Sequence, residues 1–163
     1  MKKSLFKPFA RPLPHRPKFY LASPLFSPAE RLLNTELCTL LETAGGVYLP
    51  QRDGALVESL RLGSDRDDAA ICQQVFVHDT NALEEADVIV AVLDGRALDE
   101  GVCIELGYGK AVGAFVVGYK TDIRTVLPWG QNPMLSGCVD VWVHSKEELS
   151  RWVVSAFEGR EDM

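Results

Sequence analysis

Two carboxylates occupy positions where side chains do chemistry. Asp94 ends the run Asp87-Val88-Ile89-Val90-Ala91-Val92-Leu93-Asp94-Gly95, and Glu105 follows in Asp99-Glu100-Gly101-Val102-Cys103-Ile104-Glu105-Leu106-Gly107-Tyr108-Gly109. The first run is aliphatic, Val-rich and short, which predicts a buried strand. Asp-Gly then turns the chain, and acidic residues head a helix that carries Glu105 in its early turns. Ligands of open α/β sheets bind at the carboxyl ends of the strands. Carboxylates delivered to that rim have the chemistry of nucleophiles and of proton donors or acceptors. On pattern alone Glu105 has two readings, a solvated helix carboxylate or a functional one. Gly101, Gly107, Gly109 and Gly113 accompany it, each costing a helix interior about 1 kcal/mol relative to Ala. Such a run suggests close approach to a ligand or another helix, and tight helix–sheet packing would explain it equally.

Other chemical side chains carry weaker signals. Asp79 and Asp87 flank what reads as a short helix, where either serves as a cap. Tyr20 ends the first strand and fits a half-buried core position. His15, His78 and His144 lack metal-ligand spacing, and Cys38, Cys72, Cys103 and Cys138 form no CxxC pair. No metal site or cofactor is expected, and the thiols read as buried and free in a reducing, cytoplasmic compartment. A P-loop, a GxSxG elbow and a dinucleotide-binding glycine fingerprint are all missing from the sequence. With a net charge of −6 over 163 residues, a nucleic-acid surface is disfavoured. No apolar stretch reaches the roughly 20 residues of a membrane span.

The elements that position these groups alternate. Residues 1–18 form a basic, proline-rich tail without a signal-peptide apolar region. It reads as disordered or as a strap over a neighbouring subunit, and its composition also fits a transit peptide. One domain, 19–163, follows. Phe19 to Ala22 is strand one. Ser27, Pro28 and Glu30 start a helix to about Thr43, with Leu32, Leu33, Leu37, Leu40 and Leu41 as its apolar stripe. Val47 to Leu49 is strand two, closed by Pro50. Residues 51–64 form a polar insert, expected to shape ligand choice. A helix over 65–78, the strand ending at Leu93, the Glu105 helix and a strand over 114–119 come next. A loop over 121–134, an edge strand over 139–143 and a helix capped by Ser145 complete the chain. This order predicts an α/β domain, a flavodoxin-like doubly wound five-stranded parallel sheet with helices on both faces.

Five blocks in order resemble the nucleoside 2-deoxyribosyltransferase family: Tyr20-Leu21-Ala22-Ser23-Pro24-Leu25-Phe26; Asp79 ahead of Glu85-Ala86-Asp87; Val92-Leu93-Asp94-Gly95; Asp99-x-Gly101-x-x-x-Glu105-x-Gly107; and Asn132-Pro133-Met134. The resemblance implies that Glu105 is the nucleophile, that Tyr20 orients it, and that Asp79 protonates the departing base. It implies that Asp94 binds sugar hydroxyls, with Phe26 and Gly101 in the substrate-binding blocks. Asn132, with Met134 beside it, is implied to complete the site of a neighbouring subunit. The assembly expected is a dimer-based homo-oligomer, a hexamer among the forms. The substrates implied are 2'-deoxynucleosides and free nucleobases, exchanged without a cofactor in nucleotide salvage. One departure is Val102, where the family commonly has Thr or Ser.

The implied chemistry suits these residue types. Breaking an N-glycosidic bond builds oxocarbenium character that an ionised carboxylate can capture as an ester. A second base then takes the sugar. The helix N-terminus is expected to help keep Glu105 ionised. Two rivals stand beside this reading. One is a 2'-deoxynucleoside 5'-monophosphate N-glycosidase, which would want a glycine- and serine/arginine-rich phosphate loop that Ser23-Pro24-Leu25-Phe26 lacks. The other is a non-catalytic nucleoside- or nucleotide-sensing module, since fold alone does not fix function.

Overall fold

The structure is a computed structural model that describes residues 12–54, 67–124, 127–128, 130 and 131–157. Most of the basic tail, residues 55–64 of the polar insert and the chain after 157 lie outside the described residues. Five strands form one sheet: β1 (Lys18–Ala22), β2 (Gly46–Tyr48), β3 (Val88–Val92), β4 (Phe115–Tyr119) and β5 (Val141–Val143). Every neighbouring pair is parallel, in the order β2-β1-β3-β4-β5. This is the doubly wound α/β arrangement expected from the alternation, with β5 on an edge. All five residues of β3 and all five of β4 are buried, as strands covered on both faces must be.

Alternation along β1 divides the core. Phe19 and Leu21 pack with α1 (Pro28–Leu41) and the closing helix α6 (Lys146–Phe157). Tyr20 and Ala22 face the opposite layer, with Val102 and Leu106 of α4 (Glu100–Ala111) and Leu83 of α3 (Asp68–Glu85). Two short helices remain, α2 (Pro50–Asp53) and α5 (Pro133–Cys138).

Local chemistry accounts for the helix starts. Ser27 Oγ accepts from Glu30 N, and the Glu30 carboxylate accepts from Ser27 N at 2.7 Å, a complete capping box before Pro28. Asp67 and Asp99 cap α3 and α4 through Ala70 N at 2.7 Å and Val102 N at 2.9 Å.

Several sequence expectations are corrected. Helix α3 runs unbroken through Asp79, so Asp79 is a helix-interior residue rather than a cap. Pro50 begins α2 instead of only closing β2, because its missing N–H costs nothing at a first helical position. A short helix, α5, occupies the end of the expected 121–134 loop and continues beyond it. Leu32 lies 63% exposed, outside the stripe assigned to it. Of the four free thiols only Cys38 is buried. Among the described residues no helix is long and apolar enough to cross a membrane.

The glycines of α4 divide into two kinds. A Cβ at Gly109 would lie 1.7 Å from Ile89 Cδ1 on β3, so this glycine lets helix and sheet meet. A Cβ at Gly107 would meet nothing within 4 Å. Gly109→Ala gains about 1 kcal/mol of helix propensity but overpacks a buried isoleucine at a cost of about 1–3 kcal/mol. Urea unfolding should therefore show Gly109→Ala destabilised by about 1 kcal/mol and Gly107→Ala stabilised by up to about that amount.

Candidate functional site

The sheet reverses its winding between β1 and β3, and ligand crevices form at such switch points, beyond the carboxyl ends of the strands. Toward that rim β1 supplies Tyr20, which is third of the strand's five residues and fully buried rather than half-buried at its end, β2 supplies Tyr48, α3 supplies His78 and Asp79, and α4 supplies Glu105. Tyr20 and Tyr48 are register partners on adjacent parallel strands. Side chains at one level of a parallel pair stand about 4.8 Å apart, and these two rings stack at 5.2 Å with planes 20° apart.

Fully buried Tyr20 donates its hydroxyl to Glu105 Oε1 at 2.6 Å. Burial pushes the Glu105 carboxyl up from 4.5 to about 7; the Tyr20 hydrogen bond pulls it down, and the charges of Asp79 and Asp99 push it up again. The expected ionising influence of the helix start is overtaken. Glu105 is the sixth residue of α4, and the helix dipole fades beyond the first turn, whereas desolvation acts wherever a carboxylate is enclosed.

Asp79 is also held above the ordinary aspartate range, mainly by burial, against the lowering effects of a Tyr48 hydrogen bond and the His78 charge. Tyr48 Oη lies 2.8 Å from Asp79 Oδ1 and 2.7 Å from His78 Nδ1. Two carboxyl groups with raised proton affinity thus flank a pair of stacked phenols, an arrangement suited to nucleophilic and proton-transfer work.

Tyr20, Asp79 and Glu105, singled out from the sequence, therefore come together. Among the described residues no hydrogen bond joins the other candidates to this knot. Asp94 accepts from Thr121 N at 2.6 Å, Thr121 Oγ1 at 2.7 Å and Asp122 N at 2.7 Å, fastening the loop after β4. Any sugar hydroxyl at Asp94 would share a carboxylate that already holds three bonds. Asn132 caps α5 by accepting from Met134 N at 2.9 Å, and Met134 is 79% exposed. Phe26 is 77% exposed on the loop after β1. Gly101 lies in the first turn of α4, where a Cβ would stand 3.1 Å from the capping Asp99 Oδ1. Val102 is core: its side chain is buried and its N–H is held by Asp99, so α4 starts firmly without a hydroxyl there.

Three site residues were missed from the sequence. Asp99 heads the helix and the central motif block without a role assigned to it, and its charge reaches Glu105. Tyr48 carries no role in the sequence reading and His78 only that of a histidine without metal-ligand spacing; the available signal was that Tyr48 ends β2 beside the strand of Tyr20 and that His78 precedes Asp79.

A model of the nucleoside 2-deoxyribosyltransferase family matches residues 19–157, from β1 to the end of α6. This chain belongs to that family. A curated nucleoside deoxyribosyltransferase of Limosilactobacillus fermentum is 28% identical over 138 residues, covering 80% of each chain. The solved 2-deoxyribosyltransferase of Bacillus psychrosaccharolyticus superposes with a TM-score of 0.66 at 19% identity, over 82% of this chain and 90% of that one. The CMP N-glycosidase of Clostridium botulinum shares the fold at a TM-score of 0.51 and 17% identity, over 82% and 96% of the two chains. The family match begins at Phe19 and includes Tyr20, Tyr48, Asp79 and Glu105.

Proposed function

We propose that this protein transfers the 2-deoxyribosyl group of a 2'-deoxynucleoside to a free purine or pyrimidine base by double displacement at Glu105. The observation that carries the reading is the Tyr20–Glu105 contact of 2.6 Å at the switch point, beside a second carboxyl, Asp79, of raised proton affinity. In the first half-reaction ionised Glu105 attacks the anomeric carbon while the base departs with a proton from Asp79. The C–N bond breaks, a glutamyl ester forms, and the base leaves neutral. The second half-reaction runs in reverse with the incoming base, whose proton returns to Asp79. Tyr20 fixes the rotamer of Glu105 and steadies its charge.

Asp94 acts on the sugar side, directly or through the loop it fastens. Phe26 and Gly101 border the substrate. Asn132 and Met134, exposed on α5, are the groups offered to a neighbouring subunit in a homo-oligomer.

The rival hydrolysis of nucleoside monophosphates needs a phosphate cradle after β1. That loop instead folds onto α1: buried Asn34 bonds Ser23 Oγ, donates to Pro24 O at 2.9 Å and donates to Gln51 Oε1 at 2.9 Å. This packing favours an uncharged nucleoside.

Incubation with deoxyinosine, with and without adenine, tests the reading by chromatography. Deoxyadenosine should form only when adenine is present. Hypoxanthine released at one rate with or without acceptor would make the protein a hydrolase, and binding without turnover would make it a sensing module.

A further inference from the structure

We infer that His78 and Tyr48 form a proton relay that loads Asp79 from solvent before the first base departs, the incoming base returning that proton later in the cycle, an inference that rests on the transferase reading above. His78 and Asp79 are consecutive residues of α3, and consecutive helix side chains do not face one another. A third group joins them. The Tyr48 hydroxyl sits 2.7 Å from His78 Nδ1 and 2.8 Å from Asp79 Oδ1. A phenol has one proton to donate and lone pairs to accept with, so this three-membered chain has two polarities. In one, His78 is an imidazolium whose Nδ1–H donates to Tyr48, and Tyr48 donates to ionised Asp79. In the other, protonated Asp79 donates to Tyr48 and Tyr48 donates to an unprotonated Nδ1.

Passing from the first to the second is a proton transfer in which every atom is accounted for. The Nδ1 proton goes to Tyr48 Oη, the phenolic proton goes to Asp79 Oδ1, and no bond between heavy atoms changes. The imidazolium–carboxylate pair thereby becomes neutral imidazole and carboxylic acid, and exposed His78 takes up its next proton from hydronium or a buffer acid. Exposure falls inward from His78, which is open, to Tyr48 and Asp79, which are partly buried. The Tyr48 ring is held for this task by its stack on Tyr20 at 5.2 Å. Among the described residues the charges that act on Tyr48 are those of Asp79, Asp53 and Glu105, all acids, and His78 is the basic group hydrogen-bonded to it.

The relay answers a requirement of the reaction. Glu105 must be ionised at the moment when Asp79 carries a proton, although both carboxyls share one enclosure and Glu105 is itself slow to ionise. The relay delivers its proton to Asp79 rather than to Glu105, because Tyr48 is bonded to Asp79 while Glu105 takes its hydrogen bond from Tyr20. His78 and Tyr48 act through Asp79 and are positioning residues rather than groups that touch the substrate.

The test compares deoxyinosine with 7-methyl-2'-deoxyinosine, each with adenine as acceptor, in single turnover. The methylated base already bears a positive charge and departs neutral without any proton. Tyr48→Phe keeps the ring stack and removes both hydrogen bonds; His78→Asn keeps a polar group at an exposed position and removes the ionisable one. Both variants should lose roughly 10- to 100-fold in the rate on deoxyinosine, within the range of general-acid effects, and stay within about threefold of the parent on the methylated substrate. Equal losses on both substrates would mean a structural role and overturn the relay, as would unchanged rates on both. If the parent protein processes neither substrate, the transferase reading falls and the relay with it. Parent activity with substrate-independent losses in the variants would leave the transferase reading standing and remove only the relay.

Discussion

Glu105→Gln should leave a folded protein whose deoxyribosyl transfer has dropped by about 10³-fold or more, the scale seen when a covalent nucleophile is removed. Gln keeps the size of the side chain and an oxygen able to accept the Tyr20 hydroxyl, so the 2.6 Å contact has a counterpart in the variant. What it lacks is a negative charge able to form and release a glycosyl ester. Substrate binding, which draws on the rest of the rim, should change far less than turnover. The measurements are single-turnover release of base and mass spectrometry of the denatured protein. The parent should carry a deoxyribosyl adduct at Glu105 when deoxynucleoside is supplied without acceptor, and the variant none. An active Glu105→Gln protein would remove Glu105 from the mechanism.

The second large effect is pH dependence, which follows from the same carboxyl. With Glu105 pushed to about 7, kcat/KM should rise with pH through the neutral region and fall about tenfold per unit well below it. Because Asp79 is enclosed with Glu105, the apparent values belong to the pair. Tyr20→Phe removes the hydrogen bond that lowers the Glu105 value, so its acid limb should move to higher pH.

Stability should run the opposite way. The folded state holds the Glu105 proton more tightly than the unfolded chain, whose value is 4.5. The stabilisation tied to that proton is therefore complete below about 4.5 and is lost as pH rises through about 7. Glu105→Gln, which never ionises, should gain on the parent across that window, by at most about 3 kcal/mol at pH 8. Urea unfolding at pH 4.5 and pH 8 reads the gain directly. Variants equally spaced at both pH values would mean that Glu105 ionises without cost in the folded protein. Taken with the lost activity, a gain would mark Glu105 as a residue kept for chemistry at the expense of stability.

Much of this architecture was legible because its signals are local. The Val-rich run ending at Leu93 needs only its own composition to be read as a covered strand. Ser27-Pro28-x-Glu30 contains all the groups of its capping box within four residues. The helix announced by Ser145 is present as α6, and Leu149, Trp152, Val153 and Phe157 form its buried face at helical spacing. The length of α3 is hidden because His78, Asp79 and Asn81 resemble a break, whereas Ile71 and Leu83, on either side of them, are both buried in one continuous helix. The start of α5 was hidden in the same way: six residues with two breakers carry too little periodicity, and Asn132 declares itself a cap only through its bond to Met134.

By itself the sequence determined the α/β alternation, the strand–turn–helix unit that carries Glu105, and a motif order that names the family. Only the tertiary structure decided how the site is wired. Strand register set Tyr48 beside Tyr20, and residues 31 apart in the chain, Tyr48 and Asp79, became hydrogen-bonded. The Asp94 carboxylate was drawn to a loop 27 residues away, and the Glu105 carboxyl was raised by surroundings drawn from several elements. Helix and strand signals depend on neighbours within a turn or a pleat. Proton affinity and hydrogen-bond partners depend on which distant groups exclude water from the same few ångströms, and that is a property of the fold.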